Sequence, residues 1–287
     1  MSFSVSAWLA ITLYLVATAG TLRQLWKPQD LGALASLLAR PLMIGVVAWL
    51  LHSYYATEVA FGITEVGVNQ SETSAIVLNV SVHAMAVLVS AILVGTFIVL
   101  CTVLDVSRLA VIVFPLTVAT LVFAQNWNTS ASELLILSMD SSLNLKLHVI
   151  ISILAYTFVS LATAQALVLR FQESQFKKRI KPTLMAALPP LETMAKLLVY
   201  LLSIGVVLLS LTLASGALFS KEIFGVPFEF NHHTILALLG WLVLCIALTA
   251  IVTDKLSSAQ STLWVVLGFV LIQLGYFGTK IIVDLIN

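Results

Sequence analysis

Charge is what this chain has least of. Only 9% of its 287 residues are Asp, Glu, Lys or Arg, against roughly 25% in soluble domains. Hydrophobic residues make up 60% and the mean hydropathy is +1.08. So few charges cannot cover a water-facing surface, and lipid must solvate most of the molecule. The formal net charge of +1 and the lack of a basic run with interleaved aromatics exclude nucleic acid as a partner. Cysteine is equally scarce. Cys101 and Cys245 lie in separate apolar stretches without a C-x-x-C, which excludes thiol–disulfide exchange and thiolate metal sites. Serine-nucleophile elbows, phosphate-cradling glycine loops, H-E-x-x-H spacing and paired buried carboxylates are missing too, so the protein is not expected to be an enzyme. The opening MSFSVSAWLAITLYLVATAG has no basic n-region, and it is expected to stay as a first span.

What is present is a series of apolar stretches. A span needs about 20 residues to cross a core ~30 Å thick. Eight are expected: Val5–Leu22, Leu34–Tyr55, Ile76–Thr102, Leu109–Phe123, Leu145–Arg170, Leu197–Phe219, Thr234–Val252 and Leu263–Ile286. The fourth is short and contains Pro115. The expected architecture is an all-α polytopic bundle forming a single membrane domain over 1–287. With eight spans the connections alternate between two sides. One side holds eleven of the lysines and arginines, among them the KKRIK run at Lys177–Lys181, and the other holds Lys146, Lys221 and Lys280. By the positive-inside rule both termini are external, in a multi-pass protein of the bacterial inner membrane. Pro189, Pro190 and Glu192 suit the start of the sixth span, since proline fits a first turn and an acid complements its positive end. The outer connection Gln125–Asn144 is expected to be a flexible cap with a turn of helix.

That orientation puts all five histidines in the outer third: His52, His83, His148, His232 and His233. An ionisable group inside a span is costly, so such a group is a site candidate. Neutral imidazole ligates metals, and two imidazoles from different helices can hold a haem iron from both faces. Ser152, Tyr156, Ser160 and Ala164 recur beneath His148 as a mostly small stripe, Ser203, Ser210, Ser215 and Gly216 line the sixth span, and Gly268, Gly275 and Gly278 the eighth. Such stripes bring helices close, and a flat ligand fits the same space. Tyr54, Tyr55, Phe228, Phe230 and Trp241 supply apolar walls near the histidines, and Lys146, Lys221 and Lys280 are candidate partners for haem propionates. Zinc fits poorly, because His232 and His233 are adjacent and the carboxylates lie in loops.

LHVIISILAYTFVSLATAQALVL, headed by His148, resembles the histidine-led helix of the cytochrome c assembly proteins, the CcsA/CcmC/HemX group, whose histidine there is an external haem ligand. LPPLETM, SLTLASGALF, FNHHTILALLGWLV and GFVLIQLGYFGTKIIVDLI are similar to successive landmarks of its YpjD-like branch, and WLLHSYY resembles that branch's second helix. The branch's N-H-K-T-like tetrad falls on Asn231, His232, His233 and Thr234, and its tryptophan on Trp241. The family's tryptophan-rich external signature is replaced by FEFNHHT at Phe228–Thr234, and Thr249 stands where the larger family has a membrane-buried histidine. The resemblance is most specific at 145–287. It implies haem handling in cytochrome c assembly as an accessory factor, with haem b as the cofactor and other membrane proteins of cytochrome maturation as partners. His148 carries over as a ligand. His232 is expected to be the second ligand, with His52 as the alternative, while His83 and His233 support the haem from around it. The haem would sit between the second, fifth and seventh helices. A ligating imidazole must be neutral, so haem retention is expected to weaken below about pH 6, near the reference histidine pKa of ~6.5. The competing reading is a cation or proton transporter subunit using the same histidines. A membrane scaffold without haem is a third.

Overall fold

The computed structural model describes residues 5–26, 41–68, 71–79, 81–104, 106–126, 134–137, 143–177, 190–221, 230–255 and 257–278. Its helices are α1 (Val5–Trp26), α2 (Pro41–Ala60), α3 (Val82–Val103), α4 (Ala110–Asn126), α5 (Leu143–Lys177), α6 (Leu191–Leu218), α7 (His232–Val252) and α8 (Ser258–Gln273). The first seven are long and apolar enough to cross a membrane. The eighth is shorter as an α-helix and continues as a π-helical turn, Leu274–Gly278, and most of the KKRIK run lies outside the described residues. A helix satisfies its own backbone, which is the condition for existing in lipid. Short hydroxyl side chains follow the same rule here. Thr18, Thr117, Ser160, Thr163 and Ser210 each donate to the carbonyl one turn back.

The bundle is helical as expected, and a small three-stranded antiparallel sheet accompanies it: β1 (Phe61–Val68), β2 (Ser71–Asn79) and β3 (Leu134–Leu137), in the order β1-β2-β3. The sheet corrects two expected boundaries. Phe61 pairs with Leu78 and Val68 with Ser71, while Ile76 pairs with Leu137 and Asn79 with Leu134. The third span therefore starts at Val82 and not at Ile76, because Ile76, Val77 and Leu78 belong to a strand that runs up to the helix. Ser81 caps α3 by accepting from the Ala84 amide. The connection expected as a flexible cap contributes β3 to the same sheet. Pro190 is the N-cap of α6 and Glu192 lies in its first turn, as the sequence suggested.

The described helices fall into two sets of four. In the first, α1 packs on α2 and α4, and α3 on α2 and α4; in the second, α6 packs on α5 and α7, and α8 on α5 and α7. The seam between the sets runs chiefly through α3 and α5. Phe114 and Tyr14 are fully buried in the first set with ring centroids 5.3 Å apart, and Phe114 lies over Gly45, where a Cβ would collide with its ring. In the second set Gly240 and Gly268 bring α7 and α8 into backbone contact, a Cβ on Gly240 falling 3.0 Å from the Gly268 carbonyl oxygen. Leucines and isoleucines such as Leu211, Leu242 and Ile246 point outward, as lipid-facing positions should.

Candidate functional site

Helix direction alone gathers the histidines. α2 ends, α3 begins, α5 begins, α6 ends and α7 begins at the end of the bundle that carries the sheet, and all five histidines lie on these segments. Within that end the structure sorts them into separate environments.

His52 is fully buried between α1, α2 and α3. Its Nε2 faces the Val87 carbonyl at 3.2 Å and the Ser90 hydroxyl at 3.3 Å, and its Nδ1 faces the Tyr14 hydroxyl at 3.3 Å. A carbonyl only accepts, so Nε2 carries the proton and Nδ1 accepts from Tyr14. His83 is arranged alike with the nitrogens exchanged. Its Nδ1 donates to the Ala124 carbonyl at 2.6 Å, and its Nε2 accepts from the Tyr55 hydroxyl at 3.2 Å. Both rings are thus committed to joining helices of the first set. His52, expected as an alternative ligand, would have to give up one of these bonds to reach a metal, and its neighbours are on α1 and α3.

His148 differs. It is half-buried near the start of α5, and its Nδ1 lies 2.9 Å from the Ser215 hydroxyl near the end of α6. Ser215 already gives its proton to the Thr212 carbonyl at 3.0 Å. It must therefore accept from His148, which fixes the tautomer with hydrogen on Nδ1 and the lone pair on Nε2. Gly216 lets α6 pass close to the ring, since a Cβ there would sit 3.3 Å from Cε1. A metal-ligating histidine is commonly held in this way, by a hydrogen bond to the nitrogen that does not bind.

His233 lies near enough for its charge to interact with that of His148. Both it and His232 are exposed in the first turn of α7. The tetrad Asn231–Thr234 is a helix cap: Asn231 Oδ1 accepts from the Thr234 amide at 3.2 Å and from its hydroxyl at 2.9 Å. The cap sets where α7 begins and hence which way the two imidazoles project. Trp241 anchors the same helix, donating from Nε1 to Ser210 at 2.8 Å. Among the described residues no three His, Cys, Asp or Glu side chains gather into a metal site. Phe228 and Lys280 lie outside the described residues, whereas Lys146 is two positions before His148 on α5. Sequence reasoning singled out Ser215 only as a packing residue and passed over Tyr14. A small hydroxyl near the end of the span that follows the histidine helix was the available signal for Ser215.

The sequence matches the family model described as cytochrome C assembly protein over residues 78–286, well over half of the chain. It is similar to the inner membrane protein YpjD of Escherichia coli strain K12 and to that of E. coli O157:H7, each 26% identical over 149 residues. Those residues are 52% of this chain and 56% of each relative, so the chain matches little more than half the length of these curated relatives. No solved structure matches significantly.

Proposed function

This chain belongs to the cytochrome c assembly protein family, and on that footing we propose that it binds haem b at its histidine-bearing end and acts in cytochrome c assembly as an accessory, non-enzymatic factor. His148 would hold the iron. The observation that carries this reading is the hydrogen bond from His148 Nδ1 to Ser215, which holds the ring as a metal-ligating imidazole is commonly held. His232 is the second ligand, with His52 as the alternative, and His233 beside it in the first turn of α7 supports the site. Haem would supply an iron that His148 and the second histidine would hold. The chain would supply the oriented rings, the small-residue approach at Ser215 and Gly216, and Lys146 beside a propionate. The site is then external, with eight spans, both termini outside and the lysine-rich connections inside, as the charge asymmetry supports.

The test is the visible spectrum of the detergent-purified protein, oxidised and then dithionite-reduced. Wild type is compared with His148→Ala, His232→Ala and His233→Ala. A Soret band with sharp reduced α and β bands is expected in wild type, lost in His148→Ala and altered in one variant of the pair. A colourless protein after expression with a haem precursor would overturn the reading.

A further inference from the structure

A second site, lined by none of the five histidines, lies at the seam between the two helix sets. A cleft of about 300 Å3 opens there, walled by α3, α4, α5, α8 and the turn that follows α8. Its polar residues are Ser90, Thr117, Thr120, Ser160 and Gln273, and the remaining wall is aliphatic and phenyl. None of the lining residues is charged and none is an iron ligand. A phosphate or carboxylate head would therefore find no counter-ion, and a haem no axial bond.

The hydroxyls decide what does fit. Ser90 donates to the Val87 carbonyl at 3.0 Å, Thr117 to Val113 at 2.9 Å, Thr120 to Leu116 at 2.9 Å and Ser160 to Tyr156 at 2.7 Å. Each has spent its single proton within its own helix, so Thr117, Thr120 and Ser160 have only lone pairs left for the cleft, while Ser90 also faces His52 Nε2. Gln273 adds Oε1, buried and without a hydrogen-bond partner among the described residues. A buried acceptor is costly to leave unpaired, and here the acceptors converge on one apolar space. The wall thus calls for an uncharged donor attached to an apolar body.

We propose that this cleft binds a neutral hydroxyl lipid of the acylglycerol class, with its hydroxyls on Gln273 and the hydroxyl lone pairs and its chain along the phenyl wall. The site lies at the boundary between the two sets and its lining includes none of His148, His232 and His233, so it stands or falls separately from haem binding at those residues.

The experiment uses the full chain in phosphatidylcholine nanodiscs and a monoacylglycerol carrying a diazirine on its acyl chain. After photolysis, labelled peptides are mapped by mass spectrometry, with monooleoylglycerol or phosphatidylglycerol as competitor. Labelling is expected within 86–93, 116–123 or 269–277, and monooleoylglycerol should compete about tenfold better, the worth of roughly one well-made hydrogen bond. Gln273→Leu removes the unpaired acceptor and Ala119→Phe fills the cleft from its exposed rim, and each should cut labelling about tenfold while the unfolding temperature stays near wild type. If Gln273→Leu does not fold, Ala119→Phe decides. Label mapped elsewhere, equal competition by the two lipids, or labelling unchanged in Ala119→Phe would overturn the proposal.

Discussion

Ser215 accepts a hydrogen bond from Nδ1 of His148 at 2.9 Å and hands its own proton to the Thr212 carbonyl, so the tautomer of one helix's imidazole is set by the next helix. Replacing Ser215 by alanine leaves Nδ1–H without that acceptor and frees the ring to turn. Haem affinity is expected to fall about 10- to 100-fold, as when a partner of a metal-bound histidine is removed. Ser215→Thr should recover most of it. Titration of the apoprotein with haem, followed in the Soret region, is the measurement, and an alanine variant that binds as wild type does would uncouple Ser215 from the site.

Asn231 touches neither histidine ring in the role assigned to it, yet it should matter to both. Asn231→Ala removes the acceptor for the Thr234 amide and hydroxyl. A lost N-cap costs about 0.5–2 kcal/mol, and the first turn that frays is the one carrying His232 and His233. Haem affinity should drop together with thermal stability, and Asn231→Asp should restore both. Stability lost with affinity intact would show that the second ligand lies outside that turn.

The buried pair of Tyr14 and His52 is predicted to be structural. Tyr14→Phe leaves Nδ1 of a fully buried imidazole unsatisfied, at a cost of about 1–3 kcal/mol. Combining it with His52→Leu should cost less than the sum of the two single changes, because removing both polar partners relieves what either alone leaves stranded. Thermal unfolding in detergent reads the stability, and the reduced haem spectrum should remain that of wild type. Strict additivity, or a shifted spectrum, would contradict this assignment.

Gly240 should be among the least replaceable small residues of the second set. A Cβ there meets Ile272 Cγ1 at 2.7 Å and the Gly268 carbonyl oxygen at 3.0 Å, and that oxygen is backbone and cannot turn aside. At Gly268 the nearest atoms are the end of the Leu244 side chain, which can change rotamer. Gly240→Ala is therefore expected to destabilise by about 1–3 kcal/mol, as overpacking does, and Gly268→Ala by less. Unfolding temperatures of the two variants, measured side by side, test the order.

Much of this could be read from the residues. Run length located the apolar helices, proline and acid marked the start of α6 at Pro190 and Glu192, and alternation of the spans brought the five histidines to one end. Two things escaped. Ile76, Val77 and Leu78 are as apolar as the helix they precede, so hydropathy ran strand and span together, and only pairing with Leu135, Ile136 and Leu137 separates them. The histidines, for their part, look alike in sequence. Whether a ring is enclosed by Tyr14 and Val87 or set beside Ser215 depends on helices distant in the chain. The choice between His232 and His233 is likewise one of helical phase, since neighbours in a helix point about 100° apart.

β2 sits in the middle of its sheet, with β1 from the hairpin on one flank and β3, which arrives more than fifty residues later, on the other. During synthesis the hairpin can close as soon as α2 and α3 are in place, but the far flank of β2 stays open until the ribosome has passed residue 137. An open strand flank is a template for any extended chain nearby. β3 therefore acts as a guard that comes late. A chain halted before it would carry the first four helices intact and still be prone to pairing with its own copies.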